Sequence, residues 1–235
     1  MPEALLKNIA LLIDADNASH HGIDPVLTVL AELGQVNIRR AYGNWAKPAL
    51  SNWNRITHRY GISPHQQFDL TKGKNATDMA MTIDAMDLLY AGKVDGFGIM
   101  SSDSDFTPLV TRLRQDGLIV YGFGSDKAPE AFKTACTRYI EVDQLILTAS
   151  ADEAKPVSST VDRQLIDLLG DAWKAANRDE EGFARLHEVG QIAGNRSSFD
   201  VRNYGFKRLS ELFRTIDNFD LKRRDDGQLY VRRLR

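Results

Sequence analysis

Five acids stand where backbone geometry can bring them together. Asp14 ends the apolar run Asn8-Ile-Ala-Leu-Leu-Ile-Asp14, and Asp16 and Asn17 follow in the next turn. Asp103 and Asp105 come just after a second apolar run that ends at Met100-Ser101. Asp78 opens a helical stretch behind Gly73-Lys74-Asn75-Ala76-Thr77. Carboxylates crowded into a small space repel one another, so their pKa values rise or a cation neutralises them. All-oxygen donors suit Mg²⁺ or Mn²⁺. An ion held this way lowers the pKa of bound water and clamps a phosphodiester for in-line attack. Plainer roles stay open for each acid. Asp78 suits a helix start through the dipole, and Asp103-Ser104-Asp105 suits a helix cap.

The elements that must position these acids follow from periodicity. Residues 8–14, 35–42, 62–68, 95–101, 118–123 and 138–142 are predicted as strands. Helices are predicted between them at 24–33, 48–60, 76–90, 106–115 and 128–136. The apolar strands read as buried on both faces rather than alternating, as parallel strands do. Within 76–90, Met79, Ile83, Met86 and Tyr90 fall on one helical stripe. Strict strand–helix alternation predicts an α/β domain, a parallel Rossmann-like sheet with helices on both faces. In such a sheet ligands bind beyond the carboxyl ends of the strands, where the acids should lie.

The pattern changes after a stretch of linker composition at 149–160. Helices are predicted at 161–176, 185–193 and 203–215, then two short strands around Asp225-Asp226-Gly227, a hairpin signal. Three helices and a hairpin suggest a small winged-helix (α+β) domain. The expected division is therefore 1–148, a linker at 149–160, and 161–235. Residues 1–157 carry 15 Lys+Arg and 19 Asp+Glu, a net of −4, while 158–235 carry 15 and 13, a net of +2. A basic unit beside an acidic one fits a nucleic-acid binder attached to a metal enzyme. The lone cysteine, Cys136, excludes an intrachain disulfide and a secreted disulfide scaffold. With no signal-peptide pattern and no apolar stretch near the roughly 20 residues of a membrane span, cytoplasm is the expected location.

Taken in order, Ile13-Asp14-Ala15-Asp16-Asn17, Gly73-Lys74-Asn75-Ala76-Thr77-Asp78 and Ser101-Ser102-Asp103-Ser104-Asp105-Phe106-Thr107-Pro108-Leu109 resemble the NYN domain, a branch of the PIN-like ribonuclease fold. The likeness continues through Gly122-Phe-Gly124 and Pro129-Glu-Ala-Phe132, covering about residues 5–145. The run Phe199-Asp-Val-Arg-Asn-Tyr-Gly-Phe-Lys-Arg-Leu-Ser-Glu-Leu-Phe213, with the hairpin after it, resembles the OST-HTH or LOTUS module over roughly 158–235. The first resemblance implies metal-dependent hydrolysis of RNA, with Asp14, Asp78, Asp103 and Asp105 as ligands of Mg²⁺ or Mn²⁺. Asp16 then either coordinates directly, supports a ligand from outside, or caps a helix. Asn17 would orient a ligand or the substrate, and Ser101 and Ser102 would contact phosphate. The second resemblance implies RNA binding.

Aromatics interleaved with basic residues suit single-stranded RNA. Tyr42 and Trp45 are candidates of this kind, whereas Trp53 reads as core. Lys72 and Lys74 could meet the scissile phosphate or stay solvated. In the second unit Arg202, Lys207 and Arg208 flank the predicted third helix, and hairpin residues Arg223 and Arg224 could track a phosphate backbone. The five histidines show no metal-ligand spacing, and Gly122-Phe-Gly124-Ser is not a dinucleotide-binding turn. Two competing readings remain. One is a non-catalytic RNA-binding adaptor. The other is an aspartyl-nucleophile phosphatase, which Ala18 disfavours where such enzymes carry Thr or Val. Protein partners stay open, a homo-oligomer included.

Overall fold

The structure is a computed structural model that describes residues 6–68, 75–150, 162–197, 199–224 and 226–234. The chain divides into two compact units, Met1–Ile146 and Leu147–Arg235.

The first unit alternates strand and helix. Its elements are β1 (Leu6–Asp14), α1 (Ile23–Leu33), β2 (Gly34–Gly43), α2 (Ser51–Thr57), β3 (Ser63–Gln66), α3 (Ala76–Tyr90), β4 (Gly96–Met100), α4 (Thr107–Gln115), β5 (Ile119–Gly124), α5 (Glu130–Ala135), β6 (Arg138–Glu141) and α6 (Val142–Ser150). The sheet is parallel throughout, in the order β3-β2-β1-β4-β5-β6. The predicted α/β layering is therefore present. β1 buries both faces. Ile9, Leu11 and Ile13 join a core with α1, α2 and α6, while Ala10 and Leu12 join a second with α3, α4 and α5. The strand order reverses between β1 and β4, and a crevice opens at their carboxyl ends at such a switch point. Ile13 pairs with Met100 in register, which sets Asp14 level with Ser101.

Three local expectations differ in this unit. α6 follows β6 directly and runs to Ser150, into the stretch expected as linker. The helix predicted at 48–60 is a short 3₁₀ turn, Pro48–Leu50, leading into the seven-residue α2. The largest difference is the rotation of α3. Its predicted apolar stripe points outward: Met79, Ile83 and Tyr90 are 61%, 57% and 73% exposed, and Met86 is half-buried. Thr77, Met81, Ala85 and Leu88 are buried instead. The physical reason lies in the acids of the same helix. Asp84 pairs with Arg40 and accepts the Tyr42 hydroxyl, both from β2, and this turns Ala85 and Met81 toward the sheet.

The second unit comprises α7 (Arg163–Ala175), β7 (Ala184–Arg185), α8 (Leu186–Arg196), α9 (Leu209–Arg214), β8 (Phe219–Arg223) and β9 (Leu229–Arg233). Its antiparallel sheet has the order β7-β9-β8, and Leu165, Leu169, Val189, Leu212, Phe213, Phe219 and Val231 form its own core. The hairpin turn carries Gly227 at φ +76°, a conformation glycine adopts without steric cost. The single helix predicted at 203–215 is two pieces, a 3₁₀ turn Val201–Tyr204 and then α9. Gly205 separates them at φ +77°, and Glu211 accepts hydrogen bonds from the backbone N–H groups of Lys207 and Arg208 to restart the helix. Among the described residues no helix is long and apolar enough to cross a membrane.

Candidate metal centre

Asp14 is fully buried at the end of β1. Its Oδ2 accepts from Asn17 Nδ2 and Ser101 Oγ, each at 2.9 Å. Its Oδ1 is buried and has no hydrogen-bond donor among the described residues. A buried acceptor left unsatisfied costs free energy, so an orphan of this kind marks a place for a ligand. Burial raises the Asp14 pKa, with a smaller contribution from Asp16, although the bonds from Asn17 and Ser101 lower it.

The chain leaves β4 at Met100 and turns at Ser101, which is buried and also accepts the N–H of Asp103 at 3.1 Å. Asp103 caps the 3₁₀ turn Ser104–Phe106, its Oδ1 accepting the N–H of Asp105 at 2.9 Å. The capping role foreseen for Asp103 is thus real and occupies one oxygen. Buried Phe106 anchors this turn in the core below.

Asp78 lies in the first turn of α3, which packs on β1 and β2. Asp78, Asp103 and Asp105 each offer a carboxylate oxygen, and these three atoms lie within 4.8 Å of one another. Burial, then the charges of Asp14, Asp103, Asp105 and Asp16, push the Asp78 pKa up to about 6. The acids expected from three distant stretches therefore act on one another. Among the described residues the only cation paired with them is Lys47, whose Nζ sits 3.2 Å from Asp16 Oδ1. The other oxygen of Asp16 accepts the Thr77 hydroxyl at 3.0 Å. Asp105 Oδ2 accepts from Asn75 Nδ2 at 2.5 Å.

Residues 8–146 match the NYN domain. The chain belongs to the NYN domain family. Residues 156–231 match the OST-HTH/LOTUS domain. The first match implies a PIN-like nuclease fold and the second implies RNA binding. An uncharacterized protein of Methanocaldococcus jannaschii is 27% identical over 123 residues, 50% of this chain and 48% of that protein. The chain spans about half the length of that curated relative. A Vibrio parahaemolyticus protein of unknown function, known from a crystal structure, is similar with a TM-score of 0.50 and 19% identity. That likeness covers 62% of this chain and 98% of that one and speaks to the fold alone.

Other predicted site residues of the NYN domain have different surroundings. Tyr42 is 1% exposed, with its ring against His65 and its hydroxyl on Asp84, so base stacking is corrected to a structural role. Trp45 is half-buried, its indole N–H donating to the His65 carbonyl at 2.9 Å. Ser101 is spent on Asp14, and Ser102 Oγ accepts the Ser125 N–H at 2.8 Å, so both brace strand ends where phosphate contact was expected. Lys72 and Lys74 lie outside the described residues.

In the LOTUS module Arg202 makes a two-oxygen ion pair with buried Asp200, and Arg224 pairs with Asp179 and Glu181. Both were expected on RNA, and both hold the module's own acids here. Lys207, Arg208 and Arg223 are exposed. Sequence reasoning missed Asn75 and Thr77, although both stand in the run ending at Asp78. A polar pair at a helix start reads as capping, and only the fold shows that these side chains cross to other elements. Lys47 also went unassigned, since nothing in the sequence ties it to Asp16.

Proposed function

We propose that the NYN domain hydrolyses RNA phosphodiester bonds at a Mg²⁺ or Mn²⁺ site held by Asp14, Asp78, Asp103 and Asp105, with the LOTUS module supplying RNA affinity. The observation that carries this reading is the gathering of Asp78, Asp103 and Asp105 oxygens within 4.8 Å of one another, beside an orphaned, buried Asp14 Oδ1 whose carboxylate charge is felt at Asp78. The donor set is all oxygen and strongly anionic, which suits a hard divalent cation. When bound, such an ion would polarise the phosphate and acidify a water. The chain's own residues do the rest. Asn17 and Ser101 hold Oδ2 of Asp14 and leave Oδ1 as the oxygen on offer. Asn75 fixes Asp105 from the start of α3. Trp45, Lys72 and Lys74 are the proposed RNA contacts of the NYN domain, and Lys207, Arg208 and Arg223 those of the module.

The test incubates labelled single-stranded RNA with wild type and Asp103→Asn, with and without Mn²⁺. Mn²⁺-dependent cleavage by wild type alone is expected, with at least about a hundredfold loss in the variant, the order of loss seen when one key electrostatic group is removed. Cleavage by both proteins alike would contradict the assignment. RNA binding without cleavage in every condition would favour the adaptor reading, and a trapped phosphoaspartate would favour the phosphatase.

A further inference from the structure

We propose that Asp16 and Thr77 form a positioning pair that fixes the first turn of α3, and with it Asp78, against the metal centre, and that Asp16 is not itself a ligand. The inference rests on the metal-site reading above. Its ground is a difference among the acids in what their oxygens touch.

Asp78 comes from a helix, whereas Asp14 ends β1 and Asp103 and Asp105 stand in the short turn that follows β4. A sheet fixes its strand ends through the ladder. The start of a helix must be placed by something else. At the N-cap position of α3 stands Asn75, a residue type that normally accepts a hydrogen bond from its own helix. Its side chain makes no such cap bond and donates to Asp105 Oδ2 instead. Two residues on, Thr77 is 7% exposed and donates to Asp16 Oδ2 at 3.0 Å. The first turn of α3 is therefore tied twice by side chains, once to the turn after β1 and once to the turn after β4. Asp78 sits directly beside the Thr77 tie.

Both oxygens of Asp16 are engaged, Oδ2 by a hydroxyl and Oδ1 by the Lys47 ammonium. A divalent ion on that carboxylate would have to share it with a cation 3.2 Å away, a repulsion that grows as water is excluded. Asp14 shows the opposite pattern, an oxygen with no donor. Lys47 thus balances Asp16 and leaves it free to accept from Thr77.

The experiment measures Mn²⁺ affinity of the full chain without RNA, by electron paramagnetic resonance of the free ion and by calorimetry. Loss of a group that orients a ligand typically costs about 10- to 100-fold in metal affinity. Thr77→Val, which keeps the shape and removes the hydroxyl, should weaken Mn²⁺ binding about tenfold. Thr77→Ser should restore it to within about threefold of wild type, a rescue that a packing role for the methyl group would not give. Asp16→Asn keeps an oxygen for the hydroxyl and should stay within about fivefold, while Asp78→Asn should lose far more. Loss in Asp16→Asn equal to that in Asp78→Asn would make Asp16 a ligand and overturn the proposal. Wild-type affinity in Thr77→Val would overturn it as well. If Asp78→Asn and Asp103→Asn both bind Mn²⁺ like wild type, the metal-site reading itself fails, and that result is distinct from the other two.

Discussion

On the proposed function, Asp78 trades stability for a place in the metal site. Its folded pKa of about 6 lies above the ordinary carboxylate value of 3.8. The folded protein therefore binds this proton more tightly than the unfolded chain does, and the group favours folding most when protonated. That contribution is fully present below about pH 4 and is lost as pH rises to and through 6. As far as this group decides it, metal-free protein should melt at a lower temperature at pH 7 than at pH 5. Asp78→Asn should raise the metal-free Tm at pH 7 by a few degrees, on the order expected for about 1 kcal/mol in a chain of this size. Thermal melts at both pH values check this, and a lower Tm for the variant would contradict the cluster. Mn²⁺ should reverse the trend, because an ion bound only by the folded state stabilises by mass action. Its upward shift of Tm should be larger at pH 7 than at pH 5, where protons compete for the carboxylate. At this scale the acids could be read from sequence because a carboxylate just past an apolar strand is conspicuous. Tyr42 and Ser101 could not, because their roles are set by partners 42 and 87 positions away, Asp84 and Asp14.

α3 carries two apolar stripes, and periodicity alone cannot say which one faces inward. Met79, Ile83, Met86 and Tyr90 form the bulkier one, yet the helix buries Thr77, Met81, Ala85 and Leu88. Ala85 permits close approach to the sheet, and Asp84 with Arg40 and Tyr42 holds the rotation. The energetic consequence is direct. Met81→Ala opens a cavity in a packed core and should cost about 2–5 kcal/mol. Ile83→Ala touches an exposed position and should stay within about 0.5 kcal/mol. Denaturant unfolding of the two variants decides the orientation, since the reverse order would restore the stripe read from sequence. Gly124 at the end of β5 is a second element-scale constraint. A Cβ there would lie 2.6 Å from both the Ser101 carbonyl oxygen and Ser102 Oγ, and would also strike the Tyr139 hydroxyl. Gly124→Ala should destabilise by about 1–3 kcal/mol through overpacking. It should also weaken Mn²⁺ binding, because Ser101 is the residue that holds Asp14 and leads into Asp103. Unchanged Mn²⁺ affinity would mean that the β4 turn absorbs the push without moving the acids.

At the scale of the whole molecule, alternation of strand and helix told of a parallel sheet but not of its order. The order comes from right-handed crossovers that first build outward from β1 on one side and then from β4 on the other. That reversal places the acids of β1 and β4 at one crevice, which explains why residues about 90 positions apart in the chain share a site. The second unit was visible through its hairpin, though not through its third helix, which Gly205 divides. Each unit has its own core, so removing residues 156–235 should leave the NYN domain folded. On the proposed division of labour, that deletion takes away exposed Lys207, Arg208 and Arg223 but none of the acids of the metal centre. Each RNA phosphate that is no longer neutralised should lower the slope of log affinity against log salt by roughly 0.7 for a single strand. RNA affinity should therefore fall about tenfold or more at low salt, with a shallower salt dependence. Cleavage at saturating RNA should change by less than about threefold, since the groups that act on the phosphate are untouched. Filter binding across a salt series, paired with single-turnover cleavage, separates the two. Equal affinity and equal slope for the shortened chain would remove the module from RNA binding, and a collapse of single-turnover cleavage with affinity intact would place part of the chemistry in the module.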